Sequence, residues 1–346
     1  MKKDNLSQNW GIIGHQGVVN FLATNIAQHR VHHAYALVGP DGVGKHAIVM
    51  KAVQALLCPT QEAGQPCGEC LACQQVTSGT HPDVLTLRRW RDEKTDKLKS
   101  TLSVEQIRAL KERLSLGSLT GQWTIGIILE ADTMMAAGAN ALLKLLEEPH
   151  RGVVLFLVAE SLNDLPTTIP SRCHVLQCAT VSRQIIYDAL IARGLNRDQS
   201  ITLAALAAGR PGLMMSYVTD PPALAARQMA LAQTATGLDQ SGSAQFRAIQ
   251  RQIQANDDPA QVAAELLQDW TDIGRDLVLL RSSTDDLPAG LRYVWLKDQL
   301  KTSKLYLSPT VGLCQFLERC QTAPTLLAAN LSPQLVLEHT LLALMS

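Results

Sequence analysis

The feature that most constrains this chain is the run AYALVGPDGVGKHAIVMKAVQALLC, residues 34–58. A short apolar, β-rich segment enters a glycine-rich turn, and helical periodicity begins directly behind it. Strand, turn and helix in that order form the P-loop arrangement, in which backbone N–H groups of a tight loop and a helix N-terminus face phosphate oxygens. GPDGVGKH supplies Gly39, Gly44 and Lys45 to the G-x-x-x-x-G-K pattern, with Gly42 as a further loop candidate for nucleotide, but His46 stands where Ser or Thr would follow. Lys45 would place a positive charge on the outer phosphates, and the hydroxyl replaced by His46 would have held Mg²⁺. The plainer alternative is a glycine turn with a solvated lysine; the flanking strand and helix speak against it.

A second support for Mg²⁺ belongs at the end of a neighbouring core strand. In TIGIILEAD, residues 124–132, the strand's last position is Leu129, where an acidic residue would be needed. Imidazole is a poor ligand for a cation that favours six oxygens in strict octahedral geometry, so His46 does not repair the loss. Glu130 could orient a water, or be no more than a solvent-facing strand-end carboxylate. Two losses in one metal site predict a pocket that binds nucleotide weakly or not at all and does not hydrolyse it well.

Beyond the loop, β-rich apolar runs at 84–87, 124–129 and 153–159 alternate with helical patterns at 12–30, 103–116 and 136–147. Ser103 with Gln106 reads as a capping box, and Pro149 ends the third helix. Such alternation implies a parallel α/β sheet with right-handed crossovers. The charged stretch 88–100 reads as an exposed connection. After Gln177 the pattern turns helical, with no strong strand past residue 180, and Ser332–Pro333 marks the start of the last helix. At 346 residues more than one domain is expected. A formal net charge of zero argues against a strongly basic module that wraps nucleic acid. MKKDNLSQNW lacks the apolar core of a signal peptide, and no apolar run is long enough to span a bilayer, so the cytosol is the expected compartment and no membrane partner is expected.

Four of the eight cysteines, Cys58, Cys67, Cys70 and Cys73, crowd into C-x8-C-x2-C-x2-C. Four thiolates suit tetrahedral Zn²⁺, and a complete cysteine set leaves no open coordination position, so the ion would be structural. Disulfides or free core thiols are the competing readings, less suited to a reducing compartment. A zinc knuckle gripping nucleic acid is the third; the absence of Lys and Arg between Cys58 and Cys73 disfavours it.

Further along, LNDLPTTIPSRC places Ser171, Arg172 and Cys173 a short loop after a core strand, with Pro166 and Pro170 fixing the path. An arginine on a subunit edge can reach the γ-phosphate held by a neighbour, although a lone surface arginine more often forms a salt bridge. Cys173 reads as packing rather than a reactive thiol.

Taken in order, IIGHQGVVNFL, HHAYALVGPDGVGK, the four-cysteine insertion, THPDVLTL, SVEQIRALKERLSL, NALLKLLEEP and TIPSRC resemble the bacterial clamp-loader ATPases of DNA polymerase III, the gamma/tau and delta prime group. The resemblance implies an AAA+ P-loop domain over 1–178 with a zinc module at 58–73, a small helical lid at 179–222 and an all-α collar at 223–346. It implies that the four cysteines are zinc ligands, that Lys45 is the P-loop lysine and that Arg172 is an arginine finger acting in trans. Against the gamma/tau pattern His46 and Leu129 depart, and Gly212 fills the place of the lid arginine, which favours the delta prime branch; a full tau chain would extend well beyond the collar. The implied setting is a heteropentamer with gamma/tau and delta subunits, in which Mg-ATP lies in the neighbouring subunit and the assembly loads a sliding clamp onto primer–template DNA. An ATP-hydrolysing gamma/tau-like subunit, using Lys45 and Glu130, is the alternative.

Overall fold

The computed structural model describes residues 10–90, 99, 101–121, 123–256, 258–283, 290–307, 310–329 and 331–344. Most of the expected connection at 88–100, and the opening MKKDNLSQN, lie outside the described residues. The chain divides into two compact units: residues 1–194 with 207–214, and residues 195–206 with 215–346.

The first unit is built on five parallel strands, β1 (Ala34–Val38), β2 (Val84–Leu87), β3 (Thr124–Ile128), β4 (Val153–Ala159) and β5 (His174–Gln177), in the order β2-β3-β4-β1-β5. Its helices are α1 (Gln16–Ala27), α2 (Lys45–Leu57), α3 (Leu71–Ser78), α4 (Val104–Ser115), α5 (Ala136–Glu147) and α6 (Arg183–Ala192). Every residue of β1, β3 and β4 is buried, which is why these strands read as continuous apolar runs rather than alternating ones. Successive side chains still point to opposite faces. Tyr35, Leu37, Ile125, Ile127, Val154 and Phe156 join the core under α1 and α2. Ala34, Ala36, Val38, Leu155 and Leu157 join the core under α4 and α5. Registers such as Ala36↔Leu157 and Leu37↔Leu176 place β1, and hence the glycine loop that leaves it, between β4 and β5.

Several local expectations are met. Ser103 Oγ accepts from Gln106 N, and the Gln106 side chain accepts from Ser103 N, closing the capping box of α4. The first helix is shorter than its apolar pattern, because His15 ahead of it is left-handed and Gln28 closes its end. β3 ends at Ile128, yet Leu129 N still donates to Leu87 O at 2.8 Å.

In the second unit α7 (Arg197–Leu206) belongs with the helices that follow α8 (Pro211–Thr219): α9 (Pro221–Leu238), α10 (Gly242–Gln254), α11 (Pro259–Ser282), α12 (Lys297–Lys301), α13 (Lys304–Leu307), α14 (Thr310–Ala328) and α15 (Pro333–Leu341). Asp220 and Asp258 cap α9 and α11, each ahead of a proline in the first turn. Pro333 likewise opens α15, although the Ser332 side chain makes no cap bond. Core residues include Trp270, Ile273, Phe316 and Leu337. Three aspartates on α11 lie inside this unit: Asp269 paired with Arg227, Asp272 paired with Arg292, and Asp276 accepting from the Arg292 and Tyr293 amides.

Candidate functional site

The glycine loop leaves β1 at Gly39, whose backbone passes so close to the chain after β5 that an added Cβ would lie 1.9 Å from Cys178 O. Only glycine fits there. Gly44 ends the loop as the left-handed N-cap of α2, and His15 Nε2 lies 2.9 Å from Val43 O, tying the turn before α1 to the loop. Lys45 is buried at 6% exposure, and its ammonium donates to the loop's own carbonyls, Gly39 O and, at 2.9 Å, Pro40 O. Burial lowers its pKa, against the opposing pull of Asp41, Glu160 and Asp132. Partial desolvation, then the Asp132 and Asp41 carboxylates, push Glu160 upward. Asp132 Oδ1 is buried without a hydrogen-bond partner among the described residues.

His46 and Leu129, which stand where magnesium-holding side chains would be needed, and Glu130, the water-orienting candidate, each have a different setting. His46 is exposed on the first turn of α2. Leu129 packs, partly buried, against the core under α1 and α2. Glu130, left-handed at φ 55°, is clasped by Arg89, with Nε to Oε2 at 2.6 Å and Nη2 to Oε1 at 3.2 Å. Gly212, at the start of α8, donates its N–H to Gly42 O at 2.7 Å, and Leu213 N adds a second bond at 3.2 Å. A Cβ at 212 would meet Gly42 O at 2.8 Å, so no arginine side chain can leave this position without moving the loop. The helix-start amides at 212 and 213 are thus committed to the loop backbone rather than directed at a phosphate.

The four cysteines do converge. Their sulfurs lie within 4.8 Å of one another, with Cys58 to Cys67 at 3.5 Å and Cys58 to Cys70 at 3.9 Å. Sulfurs held tetrahedrally at about 2.3 Å from zinc stand about 3.8 Å apart, so the donor set fits that ion. Amides of Cys67, Cys70 and Cys73 donate to Cys58, Cys67 and Cys70 sulfur respectively, which favours thiolate. The Thr60 hydroxyl, with the Cys70 and Glu69 amides, holds the Cys67 thiol down at about 6. Bound, zinc would be held by Cys58, Cys67, Cys70 and Cys73 with no reactive position left. Gln54 of α2 reaches Cys73 O at 3.0 Å and Thr77 Oγ1 at 2.8 Å, joining this module to the helix behind the glycine loop.

Arg172 closes a short 3-10 turn, Pro170–Arg172, anchored by the buried Leu165 and Ile169. Its guanidinium is half-exposed and meets Glu147 at the end of α5, with Nε at 3.0 Å and Nη2 at 2.7 Å from the same oxygen, Oε1. Nη1 donates to Thr168 O and to Ser171 Oγ, both at 3.1 Å. Burial pushes the Cys173 thiol up to about 12, in keeping with a packing role.

Sequence reasoning did not find Asp132, Glu160, Arg89 or Glu147. Glu160 directly follows β4, and a strand-end carboxylate beside a P-loop strand is a usable signal. The other three reach their sites through space, from segments whose neighbours no spacing reveals.

A parallel α/β unit with a P-loop between an interior strand of its sheet and a helix, followed by a large helical part, is the class that this fold and loop define. A profile of the family described as DNA polymerase III, delta subunit, matches residues 14–182. DNA polymerase III subunit delta' of Pseudomonas aeruginosa is 39% identical over 152 residues, 44% of each chain. That of Escherichia coli is 33% identical over 197 residues, 56% of this chain and 57% of its own. The tau subunit of Escherichia coli is 32% identical over 162 residues, 47% of this chain and 24% of its own. The match spans about half the length of the delta' relatives. A solved gamma subunit-related protein from Thermotoga maritima overlays 94% of this chain at 15% identity with a TM-score of 0.36, too loose a superposition to argue from. Residues 14–182, just under half of the chain, are thus similar to the delta prime subunits of DNA polymerase III.

Proposed function

We propose that this chain is a clamp-loader subunit that lends Arg172 to a neighbouring subunit's ATP and turns over none of its own. The observation that carries the reading is the contrast between its two phosphate-directed groups. Lys45 is buried and bonded to its own loop, with acidic side chains around it; Arg172 is half-exposed on a proline-set turn. In trans, Arg172 would offer a planar, permanently charged fork to the oxygens of a phosphoryl group in transfer, where arginine fingers contribute up to roughly 10³–10⁵ in rate in the best-studied GTPases. A smaller factor is expected where several sites share the work.

The partners in this reading are gamma/tau and delta subunits in a heteropentamer, with the sliding clamp and primer–template DNA engaged by the assembly in the cytosol. The P-loop domain would cover 1–178, a lid 179–222 and a collar 223–346, with structural zinc on the four cysteines. No helix among the described residues is long and apolar enough to cross a membrane. The alternative, an ATP-hydrolysing gamma/tau-like subunit, would require Lys45 to leave Gly39 and Pro40, and Glu130 to leave Arg89.

The experiment is steady-state ATPase of the loader reconstituted with this chain, on primed DNA and clamp. Arg172→Ala should fold and assemble normally, with kcat reduced at least roughly tenfold, the low end of a transition-state contact. Unchanged kcat would refute the finger. ATP turnover by the purified chain alone, abolished by Lys45→Ala, would establish the alternative.

A further inference from the structure

We infer that Glu147, the last residue of α5, parks the Arg172 guanidinium and must release it before a neighbour's phosphate can be engaged; the inference rests on Arg172 acting in trans. Glu147 ends the segment NALLKLLE, and a carboxylate there is unfavourable on its own account, because the C-terminal end of a helix already carries partial negative charge. A cation beside it offsets that cost, and Arg172 is the cation supplied.

Counting donors gives the consequence. Arginine has five N–H groups. Nε is spent on Glu147 Oε1, which Nη2 faces as an ion pair at 2.7 Å, while Nη1 is spent on Thr168 O and Ser171 Oγ. The carboxylate thus covers the Nε–Nη2 edge, the fork by which a phosphoryl group is gripped through two parallel donors. The edge bearing Nε and Nη2 becomes free when Glu147 lets go, and the Nη1 bonds to Thr168 and Ser171 then keep the arginine aimed from its own turn. Both partners are substantially exposed, at 35% for Arg172 and 50% for Glu147. Exposed pairs of this kind shift an equilibrium by at most about fivefold, so a triphosphate carrying several charges can displace the carboxylate. Glu147 is accordingly a positioning residue: it sets how readily the finger is committed, not the rate once it is.

The test is ATP-dependent turnover of the reconstituted loader with wild-type chain, Glu147→Gln, Glu147→Ala, Arg172→Ala and the Glu147→Ala/Arg172→Ala pair. Removing the carboxylate should lower the KM for ATP by roughly two- to fivefold at retained kcat, and this gain should vanish in the Arg172→Ala background. If Arg172→Ala leaves kcat intact, the finger reading itself falls, and the parking role with it. If Arg172→Ala depresses kcat while the Glu147 variants leave KM unchanged, raise it, or lower kcat as well, the finger stands and the parking role is overturned.

Discussion

A carboxylate that gathers its own donors is held differently from one matched to a single cation, and Asp83 is of the first kind. Buried at 1% exposure after the His81–Pro82 pair, it accepts from Ser118 Oγ at 2.8 Å, Leu119 N at 2.7 Å and Thr120 N at 2.9 Å, pinning the loop that enters β3. Burial alone would raise its pKa; the hydroxyl and amide donors outweigh it and the net shift is downward. A depressed folded value means that its stabilisation is complete above the ordinary aspartate range near about 4 and is lost as pH falls through the lower folded value. Asp83→Ala should therefore lower the melting temperature at pH 7, with the gap to wild type closing on acidification; a gap that stays constant with pH would refute this. Lys45, His46 and the four cysteines were legible because loop and metal chemistry impose spacing along the chain. Glu147 and Arg89 were not, since an ion pair between residues 25 or 41 positions apart leaves no periodic trace.

Among the elements, the cysteine module shows how a small insertion can be braced twice. Its sulfurs gather around one point, and α3 begins within it, with Cys70 as the N-cap whose sulfur accepts from Cys73 N. Gln54 then joins Cys73 O to α2. Chelation should expose all four thiols to a titrating reagent and destabilise the P-loop unit, with slower hydrogen-exchange protection lost first at Cys70–Val76 and the Gln54 turn; a metal-free preparation with unchanged melting and exchange would remove the structural role. β1, β3 and β4 could be read in advance because buried parallel strands are uninterrupted apolar runs, and β2 from its short β-rich run, although only Leu87 in it is buried. β5 could not: its sequence HVLQ has one buried residue, and its place beside β1 is set by pairing at Tyr35↔His174 and Leu37↔Leu176. The helical assignment after residue 180 was legible from periodicity, with Ser332–Pro333 marking the start of the last helix.

At the scale of the whole molecule, polar groups are distributed unequally. The helical unit places three aspartates on one face of α11, and Asp269, 5% exposed, depends on Arg227 of α9 for its counter-charge. Arg227→Ala would strand that carboxylate, and urea unfolding of the helical unit should show a loss of about 3 kcal/mol, whereas Arg227→Ala/Asp269→Leu should recover part of it. A loss in the range of exposed surface changes would refute the role given to this pair. Domain limits were less legible than elements: residues 195–206 lie with the helical unit while 207–214 return to the α/β unit, an exchange that a change in composition near Gln177 does not announce.

That interleaving has a practical corollary for anyone dissecting the chain with proteases or stop codons. The backbone passes from one unit to the other three times, at 194, 206 and 214, so no single scission yields two intact halves. A product terminating at 194 would forfeit residues 212 and 213 and leave the Gly42 carbonyl with neither of its amide donors, altering the very loop such a fragment would be made to study.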